Sequence, residues 1–363
     1  MSDGGGDTTT DLVEELLAGK HRALARVISK IEDRSPGYRE IVSELHRHAG
    51  SADVIGVTGS PGAGKSTLVD KVAAAYRDRG ETVGVIAIDP SSPFTGGAVL
   101  GDRIRMASNA GDMDVFFRSM SARGSLGGLS TATTDAVTAL DAFGKDKVII
   151  ETVGAGQNEI DIVRTADTVA VLVPPDSGDD VQMLKAGILE IADLFAVNKA
   201  DLDGADRTVQ QLTEMLHYGE RQKNGPADRT DRAGEDDATS EEGAGADPTS
   251  EEGEEADAWE PPVIETVANS GEGVDAFLTA IDDHLRYLDE SGKREARQRS
   301  RYAAEIRTLL REDVNEMLER ELEASDGIDG YVDEVLRRES DPYAVTEEIL
   351  APLRDCLRER REQ

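Results

Sequence analysis

Val54-Ile55-Gly56-Val57-Thr58-Gly59-Ser60-Pro61-Gly62-Ala63-Gly64-Lys65-Ser66-Thr67-Leu68-Val69 decides the fold of this 363-residue chain. An apolar run of strand character leads into Gly59–Ser66, which fits GxxxxGK[ST], and helical spacing begins at Thr67. Strand, glycine-rich loop and helix in that order are the context in which this pattern means a phosphate-binding loop. Glycines let the backbone turn its N–H groups inward around a phosphate, and the helix N-terminus adds positive potential. The candidate nucleotide-binding residues are therefore Gly59, Ser60, Pro61, Gly62, Ala63, Gly64, Lys65, Ser66 and Thr67. Lys65 is expected to reach the β- and γ-phosphates, and the Ser66 hydroxyl to ligate Mg²⁺.

The next informative stretch is Leu194-Phe195-Ala196-Val197 followed by Asn198-Lys199-Ala200-Asp201, an NKxD sequence at the C-terminal end of an apolar run. Open α/β sheets bind ligands at that end of their strands. A carboxylate at Asp201 can accept hydrogen bonds from guanine N1–H and the 2-amino group, a pair that adenine lacks, so the motif selects GTP and GDP over ATP. Alone it also reads as a helix cap, since Asn and Asp are common there; downstream of a phosphate loop it points to guanine.

Further runs predict a buried, mainly parallel sheet: Val54–Thr58, Val83–Ile88, Val115–Phe117, Val148–Glu151, Thr168–Val173, Leu194–Val197 and Val263–Thr266. Continuous aliphatic runs mark strands covered on both faces. Helical patterns alternate with them at Thr67–Arg79, Gly128–Phe143 and Val181–Ile191, and two amphipathic helices, Asp11–Glu32 and Tyr38–His48, precede them. The expected fold is an α/β P-loop NTPase in three parts: an N-terminal helical extension (1–50), the nucleotide-binding domain (51–288), and a C-terminal helical region (289–363). In that last region Ile306, Leu309, Leu310, Val314, Met317, Leu318 and Leu322 keep helical spacing suited to packing or dimer contacts. Between His217 and Trp259 the pattern collapses, and an acidic insert over about 224–260 is expected to be disordered.

The formal charge of −34 comes from 74 acidic against 40 basic residues, of which only ten are lysine. The insert, with 14 acidic residues and two arginines, accounts for only part of it, so the folded surface is acidic too. Such a surface opposes nucleic acid or anionic membrane as partner. With scarce lysine it fits a high-salt cytoplasm. No run of 18 apolar residues exists, the N-terminus lacks a signal-peptide pattern, and the chain reads as soluble and cytoplasmic. One cysteine, Cys356, and five scattered histidines exclude a disulfide framework and a Cys- or His-based metal cluster.

Four more strings lie in order between or beside these motifs: Asp89-Pro90-Ser91-Ser92-Pro93-Phe94-Thr95-Gly96-Gly97, Leu100-Gly101-Asp102-Arg103-Ile104-Arg105-Met106, Arg123-Gly124-Ser125-Leu126-Gly127-Gly128-Leu129-Ser130, and Glu151-Thr152-Val153-Gly154-Ala155-Gly156-Gln157. The series resembles the MeaB/ArgK family, the GTPases associated with methylmalonyl-CoA mutase, over roughly Asp11 to Leu288. The resemblance implies a SIMIBI-class P-loop GTPase that uses GTP/GDP and Mg²⁺. It also implies a chaperone role toward an adenosylcobalamin-dependent acyl-CoA mutase, gating cofactor loading from a cobalamin adenosyltransferase and protecting the mutase, and it is consistent with a homodimer.

Phosphate hydrolysis needs Mg²⁺ and carboxylates to hold it. Asp89 and Glu151 are each expected to end a strand adjacent to the phosphate-loop strand, so both can face the ion. Glu151 stands where ordinary GTPases have the Asp of DxxG, and Gly154 lets the backbone approach the γ-phosphate. By resemblance Asp102 is a switch acid that reaches the metal site; its residue type and loop alone also fit a helix cap. Gln157 is a candidate to orient the attacking water, although it lies three residues past Gly154. Pro174–Lys185 corresponds to the family's third switch, with Lys185 as a nucleotide-responsive contact; from spacing alone it is a strand-end loop entering a helix. Where the family usually has Ser-Ala, this chain has Ala268-Asn269, so the residue giving a backbone contact to guanine O6 stays open between them. Two rival functions share features of the chain. A nickel or cobalt metallochaperone GTPase needs clusters of soft or imidazole ligands, and a transport-system kinase would use ATP, which NKxD opposes.

The charge generates a first prediction. Self-repulsion of an acidic surface is screened within ~3 Å at 1 M salt. Unfolding midpoints followed from low to multimolar KCl are expected to rise throughout, and a salt-independent midpoint would contradict a surface adapted to high salt.

Overall fold

The structure is a computed structural model that describes residues 9–89, 107–109, 111–121, 128–152, 165–175, 191–223, 258–324 and 327–362. Seven strands form one sheet in the order β3-β2-β4-β1-β5-β6-β7. They are β1 (Asp53–Gly59), β2 (Val83–Asp89), β3 (Val115–Ser121), β4 (Lys147–Thr152), β5 (Thr168–Val173), β6 (Leu194–Asn198) and β7 (Val263–Thr266), and every neighbouring pair is parallel. The α/β P-loop architecture expected from the aliphatic runs is thus present.

Alternation within each run explains why the strands read as unbroken hydrophobic stretches. Val148 and Ile150 of β4, with Val169, Val171 and Val173 of β5, face one side of the sheet. Ile149, Ala170 and Leu172 face the other. The first side is covered by α1 (Thr9–Leu17), α2 (His21–Glu32), α3 (Tyr38–Leu45) and α5 (Gly128–Ala142), with α6 (Ala205–Lys223) beside β6 and β7. The second is covered by α4 (Lys65–Asp78) and α7 (Val274–Glu290). Both faces are therefore dry, which requires apolar side chains at both parities of the strand repeat.

Three expectations are corrected. The single helix predicted over Asp11–Glu32 is two, because Gly19 adopts φ +77° after α1 and turns the chain before α2. A left-handed glycine just past the last turn satisfies orphan carbonyls, here Leu16 O and Glu15 O through the amides of Gly19 and Lys20. Second, Asp89 does not end a neighbour of β1: β4 intervenes, so Glu151 closes the adjacent strand and Asp89 the next one out. Third, α6 continues to Lys223, six residues into the stretch where apolar periodicity fades. Most of the proposed insert and of the Val181–Ile191 helix lies outside the described residues.

The N-terminal rim of the sheet is held by carboxylates. Asp141 accepts from the amides of Gly50, Ser51 and Ala52 ahead of β1. Asp167 Oδ2 accepts from Val54 N and Asp193 Oδ2 from Val169 N, so each acid stands before one strand and binds the backbone of the next. Counter-charge for Asp167, Asp193 and Asp53 comes from α8 (Lys293–Ala324), where Arg294, Arg297 and Arg301 share one face. Arg294 pairs with Asp53 at 2.9 Å, Arg297 with Asp193 at 2.8 Å and Arg301 with Asp167 at 2.6 Å. Buried His284 adds a contact, its Nε2 3.1 Å from Asp193 Oδ1 and its Nδ1 2.9 Å from Thr168 Oγ1. Trp259 donates its indole N–H to Asp193 O and packs on His284 and Tyr287, which fixes the chain entering β7.

Two compact units divide the chain, Met1–Arg301 and Tyr302–Gln363. The second comprises the remainder of α8 with α9 (Asp329–Leu336) and α10 (Pro342–Glu362). It leaves Tyr302, Ile306, Leu310 and Met317 of α8 exposed, together with Val332, Leu336 and Tyr343. No helix of the described residues is long and apolar enough to cross a membrane.

Burial pushes the Asp193 carboxyl pKa up, but contacts with His284 and Arg297 outweigh it and hold the group below the ordinary Asp value. A depressed native pKa contributes stability above the unfolded value, about 3.9, and that contribution is lost as pH falls through the native one. Asp193→Asn should therefore cost about 1–3 kcal/mol near neutrality. The gap from the parent should shrink in urea titrations below about pH 4; a gap constant with pH would show that the charge contributes nothing.

Candidate functional site

The site is built where β1, β4, β6 and β7 end. Gly59 closes β1 with φ +133°, and an added Cβ would sit 2.0 Å from Leu172 O on β5, so this position admits only glycine. The loop then runs through Ser60, Pro61, Gly62, Ala63 and Gly64 into α4, which starts at Lys65. Pro61 and Gly62 are exposed at its rim, Ala63 is buried, and Thr67 is half-buried in the first turn of α4. Buried Lys65 folds its ammonium back over the loop, donating to Gly59 O at 2.7 Å and Ser60 O at 2.9 Å. One cationic group is thus centred inside a turn whose helix N-terminus favours anions.

Ser66 donates its hydroxyl to the Glu151 carboxylate at the end of β4. Glu151 is buried, and Val57 of β1 is its register partner. A hydroxyl and a carboxylate oxygen converging beside a phosphate loop are hard donors of the kind Mg²⁺ takes. The fold brings these two predicted site residues together. Asp89 closes β2 one strand further out, and its carboxylate lies outside the described part of the structure. Asp102, Gly154, Gln157 and Lys185 fall outside the described residues altogether. Among the described residues no group of three or more His, Cys, Asp or Glu could hold a metal ion.

The NKxD side of the site is organised by Asn198. Its Nδ2 donates to Ala63 O at 2.7 Å, and its Oδ1 accepts from Thr266 Oγ1 and Ala268 N, both at 3.1 Å. One buried amide therefore ties the phosphate loop to the segment after β7. Lys199, at φ +63°, donates from Nζ to Gly62 O at 2.9 Å, laying its stem across the rim. Asp201 is exposed and makes no hydrogen bond or ion pair among the described residues. After β7, Gly273 at φ +78° and the Val267–Glu272 bridge fold the chain back on itself. Buried Ala268 spends its N–H on Asn198, whereas Asn269 is exposed and its amide has no partner among the described residues.

Two contributors escaped the sequence. Thr266 is needed to orient the Asn198 amide, and the only signal would have been the β6–β7 register, which sets Asn198 opposite Thr266. The second is the buried Thr58–Thr152 hydroxyl pair, 2.9 Å apart, which joins β1 to β4 just beneath the loop and Glu151. Two threonines in separate strands carry no local pattern.

A family model described as "Methylmalonyl Co-A mutase-associated GTPase MeaB" matches residues 24–323. A GTPase homologue from Pyrococcus horikoshii is 43% identical over 340 residues, spanning 94% of this chain and 96% of its own. GTPase ArgK of Escherichia coli is 30% identical over 336 residues, 91% of this chain and 90% of that one. The crystal structure of a LAO/AO transport system kinase is similar with TM-score 0.62 at 23% identity, covering 97% of this chain and 100% of that one. At that identity the likeness concerns the fold alone.

Gly64 offers a direct test of the Asn198 brace. It has φ +89°, and an added Cβ would stand 2.4 Å from Asn198 Nδ2. Gly64→Ala must therefore displace the amide or the loop, at a backbone cost of about 1–2 kcal/mol. Calorimetric titration is expected to give GDP affinity reduced by about tenfold or more, since 1.4 kcal/mol is a factor of ten; unchanged affinity would mean the brace is dispensable.

Proposed function

This chain belongs to the MeaB family of methylmalonyl-CoA mutase-associated GTPases, and from that premise we propose that it is a Mg²⁺-dependent GTPase serving as chaperone to an adenosylcobalamin-dependent acyl-CoA mutase. The observation that carries the nucleotide chemistry is the convergence of Lys65, Ser66 and Glu151 at one strand end, with Asn198 joining that loop to the base segment.

In the proposed cycle the phosphates of GTP lie on the loop amides from Ser60 to Ser66, and Lys65 exchanges its two carbonyl contacts for β- and γ-phosphate oxygens. Ser66, Glu151, Asp89 and Asp102 form the set that would hold Mg²⁺. When bound, the ion neutralises charge developing on the β- and γ-oxygens. Water attacks the γ-phosphorus, the bond to the β–γ bridging oxygen breaks, and GDP and phosphate leave. Gln157 is the candidate to orient that water, and Gly154 the backbone that senses the γ-phosphate. Asp201 pairs with guanine N1–H and the 2-amino group, and the Lys199 stem covers one face of the base. Because Ala268 N–H is engaged by Asn198, the amide of Asn269 is the donor left for guanine O6.

Signalling to the mutase is assigned to residues 174–185 with Lys185. A switch transmits only through contacts that differ between nucleotide states. Cobalamin adenosyltransferase is the proposed further partner, as donor of the cofactor whose loading is gated. A second copy of this chain is the proposed occupant of the apolar face of α8. Tyr302, Ile306 and Leu310 recur there at four-residue intervals, 43%, 58% and 59% exposed.

The decisive experiment is competition binding with GTP, ATP, GDP and XDP, followed by GTP turnover with and without a cobalamin-dependent mutase. GTP and GDP are expected to bind in the micromolar class with little ATP binding. Asp201→Asn should lose guanine and gain xanthine, because an amide N–H can donate to the 2-oxo group. Equal ATP and GTP affinity would refute the guanine assignment, and turnover indifferent to any mutase would refute the chaperone role.

A further inference from the structure

One row of side chains across the sheet changes character where it passes the candidate site. Register partners run from Met120 on β3 through Ile88 on β2 to Thr152 on β4, and from Thr58 on β1 through Val171 on β5 to Phe195 on β6. Val57 pairs with Glu151, so Thr58 and Thr152 come next in line and complete the row. Met120, Ile88, Val171 and Phe195 belong to the core on the side covered by α1, α2, α3 and α5. The two threonines are as fully buried as their neighbours. Valine has nearly the outline of threonine and would fill both places without a polar atom. A hydroxyl in such a layer costs free energy unless it is bonded, and here Thr152 Oγ1 donates to Thr58 Oγ1 at 2.9 Å. Packing alone does not account for the pair.

Its place in the strands does. The β1–β4 ladder ends at Val57 and Glu151, whereas β1 runs on beside β5 as far as Gly59. Beyond that last rung the hydroxyl bond ties β4 to β1. Neighbouring residues of a strand face opposite sides of the sheet, so Glu151, one residue before Thr152, lies on the α4 side and accepts there from Ser66. Thr58 adjoins Gly59, whose carbonyl accepts from Lys65. The bond thus spans the carboxylate-bearing end of β4 and the origin of the phosphate loop, on the side of the sheet away from the site. We propose that Thr58 and Thr152 are positioning residues for the Mg²⁺-dependent step, their hydroxyl bond holding the Glu151 end of β4 in register with the loop so that the carboxylate stays on Ser66. This rests on the metal-site role assigned above to Ser66 and Glu151.

The test uses the full chain with Thr58→Val, Thr152→Val, the double valine variant, Thr58→Ser, Thr152→Ser and Glu151→Gln. Affinity for a non-hydrolysable GTP analogue is measured by calorimetry with Mg²⁺ and with EDTA, beside GTP turnover and thermal midpoints. Valine keeps the shape and deletes the hydroxyl, whereas serine keeps the hydroxyl and deletes the methyl. Each valine cuts the same bond from a different strand, so one serves if the other does not fold. Groups that orient a metal ligand typically matter about 10–100-fold. In the valine variants metal-free affinity is expected to stay within about threefold of the parent, while the Mg²⁺-dependent gain and turnover each fall about tenfold or more. The double valine variant should be no worse than either single one, because the two residues act as a unit. Both serine variants should keep the Mg²⁺-dependent gain even where the lost methyl lowers their midpoints. The reverse pattern, harmless valines and defective serines, would make the pair a packing element and overturn the proposal, as would an equal loss of affinity with and without Mg²⁺. Loss of the gain in Glu151→Gln beside normal valine variants would overturn this proposal alone. A full gain in Glu151→Gln would overturn the metal-site assignment and the proposal with it.

Discussion

Seven parallel strands have all their C-terminal ends on one side, and the described residues of the candidate site are gathered there as a result. Parallel pairing forbids hairpins, so each strand must be followed by a return crossover, and helices cover both faces. The phosphate loop after β1, Glu151 at the end of β4, Asn198 at the end of β6 and the turn after β7 are far apart in sequence. They meet because the sheet gives them no other edge. The geometry also explains the glycines: neighbouring strand ends are close, and Gly59 and Gly64 stand where a side chain would strike Leu172 O or Asn198.

The opposite rim faces the converse problem. Parallel strands begin with amides that have no partner in the ladder, and buried amides must be paired. The chain answers with Asp141, Asp167 and Asp193, whose carboxylates bind the amides next door. Carboxylates buried for this purpose need counter-charge, which Arg297 and Arg301 supply; each spans a backbone carbonyl and a carboxylate. Arginine suits this because its planar fork can bind two acceptors at once. The rim is therefore a structural device, and its charges are explained without reference to the nucleotide.

What the sequence disclosed follows from the range over which each signal acts. The phosphate loop and NKxD are contiguous strings, and the strands are contiguous aliphatic runs, so the fold and the nucleotide class were legible. Strand order is not a local property: nothing near Val83–Asp89 says that β4 will come between β2 and β1. The break at Gly19 was hidden because Leu16, Leu17 and Leu24 keep an apolar rhythm across it, although the glycine itself was visible. Asn198 is visible as part of the NKxD string, but its task of binding Ala63 O, Thr266 and Ala268 emerges only when β6 and β7 lie in register. The buried Asp70 carboxylate of α4, which accepts from Ser108 N and Asn109 Nδ2, was likewise invisible, since an acid on a helix ordinarily faces water.

The scarcity of lysine acquires a structural side when the described side chains are followed one by one. Lys65 and Lys199 donate to phosphate-loop carbonyls, and Lys71 to Ser108 Oγ. Lys145 reaches Asp114 O, Lys147 pairs with Asp53, and Lys20 with Glu15. Lys30 donates to Pro36 O and Lys293 to the Tyr287 hydroxyl. Each therefore has a defined acceptor, several of them backbone carbonyls that a compact ammonium can reach and a broad guanidinium would crowd. Of these lysines, Lys65, Lys145 and Lys147 are buried, at places where a single small cation fits the local geometry. The eight thus form a short register of constrained positions, two of which, Lys65 and Lys199, bind the loop from which the fold was first read.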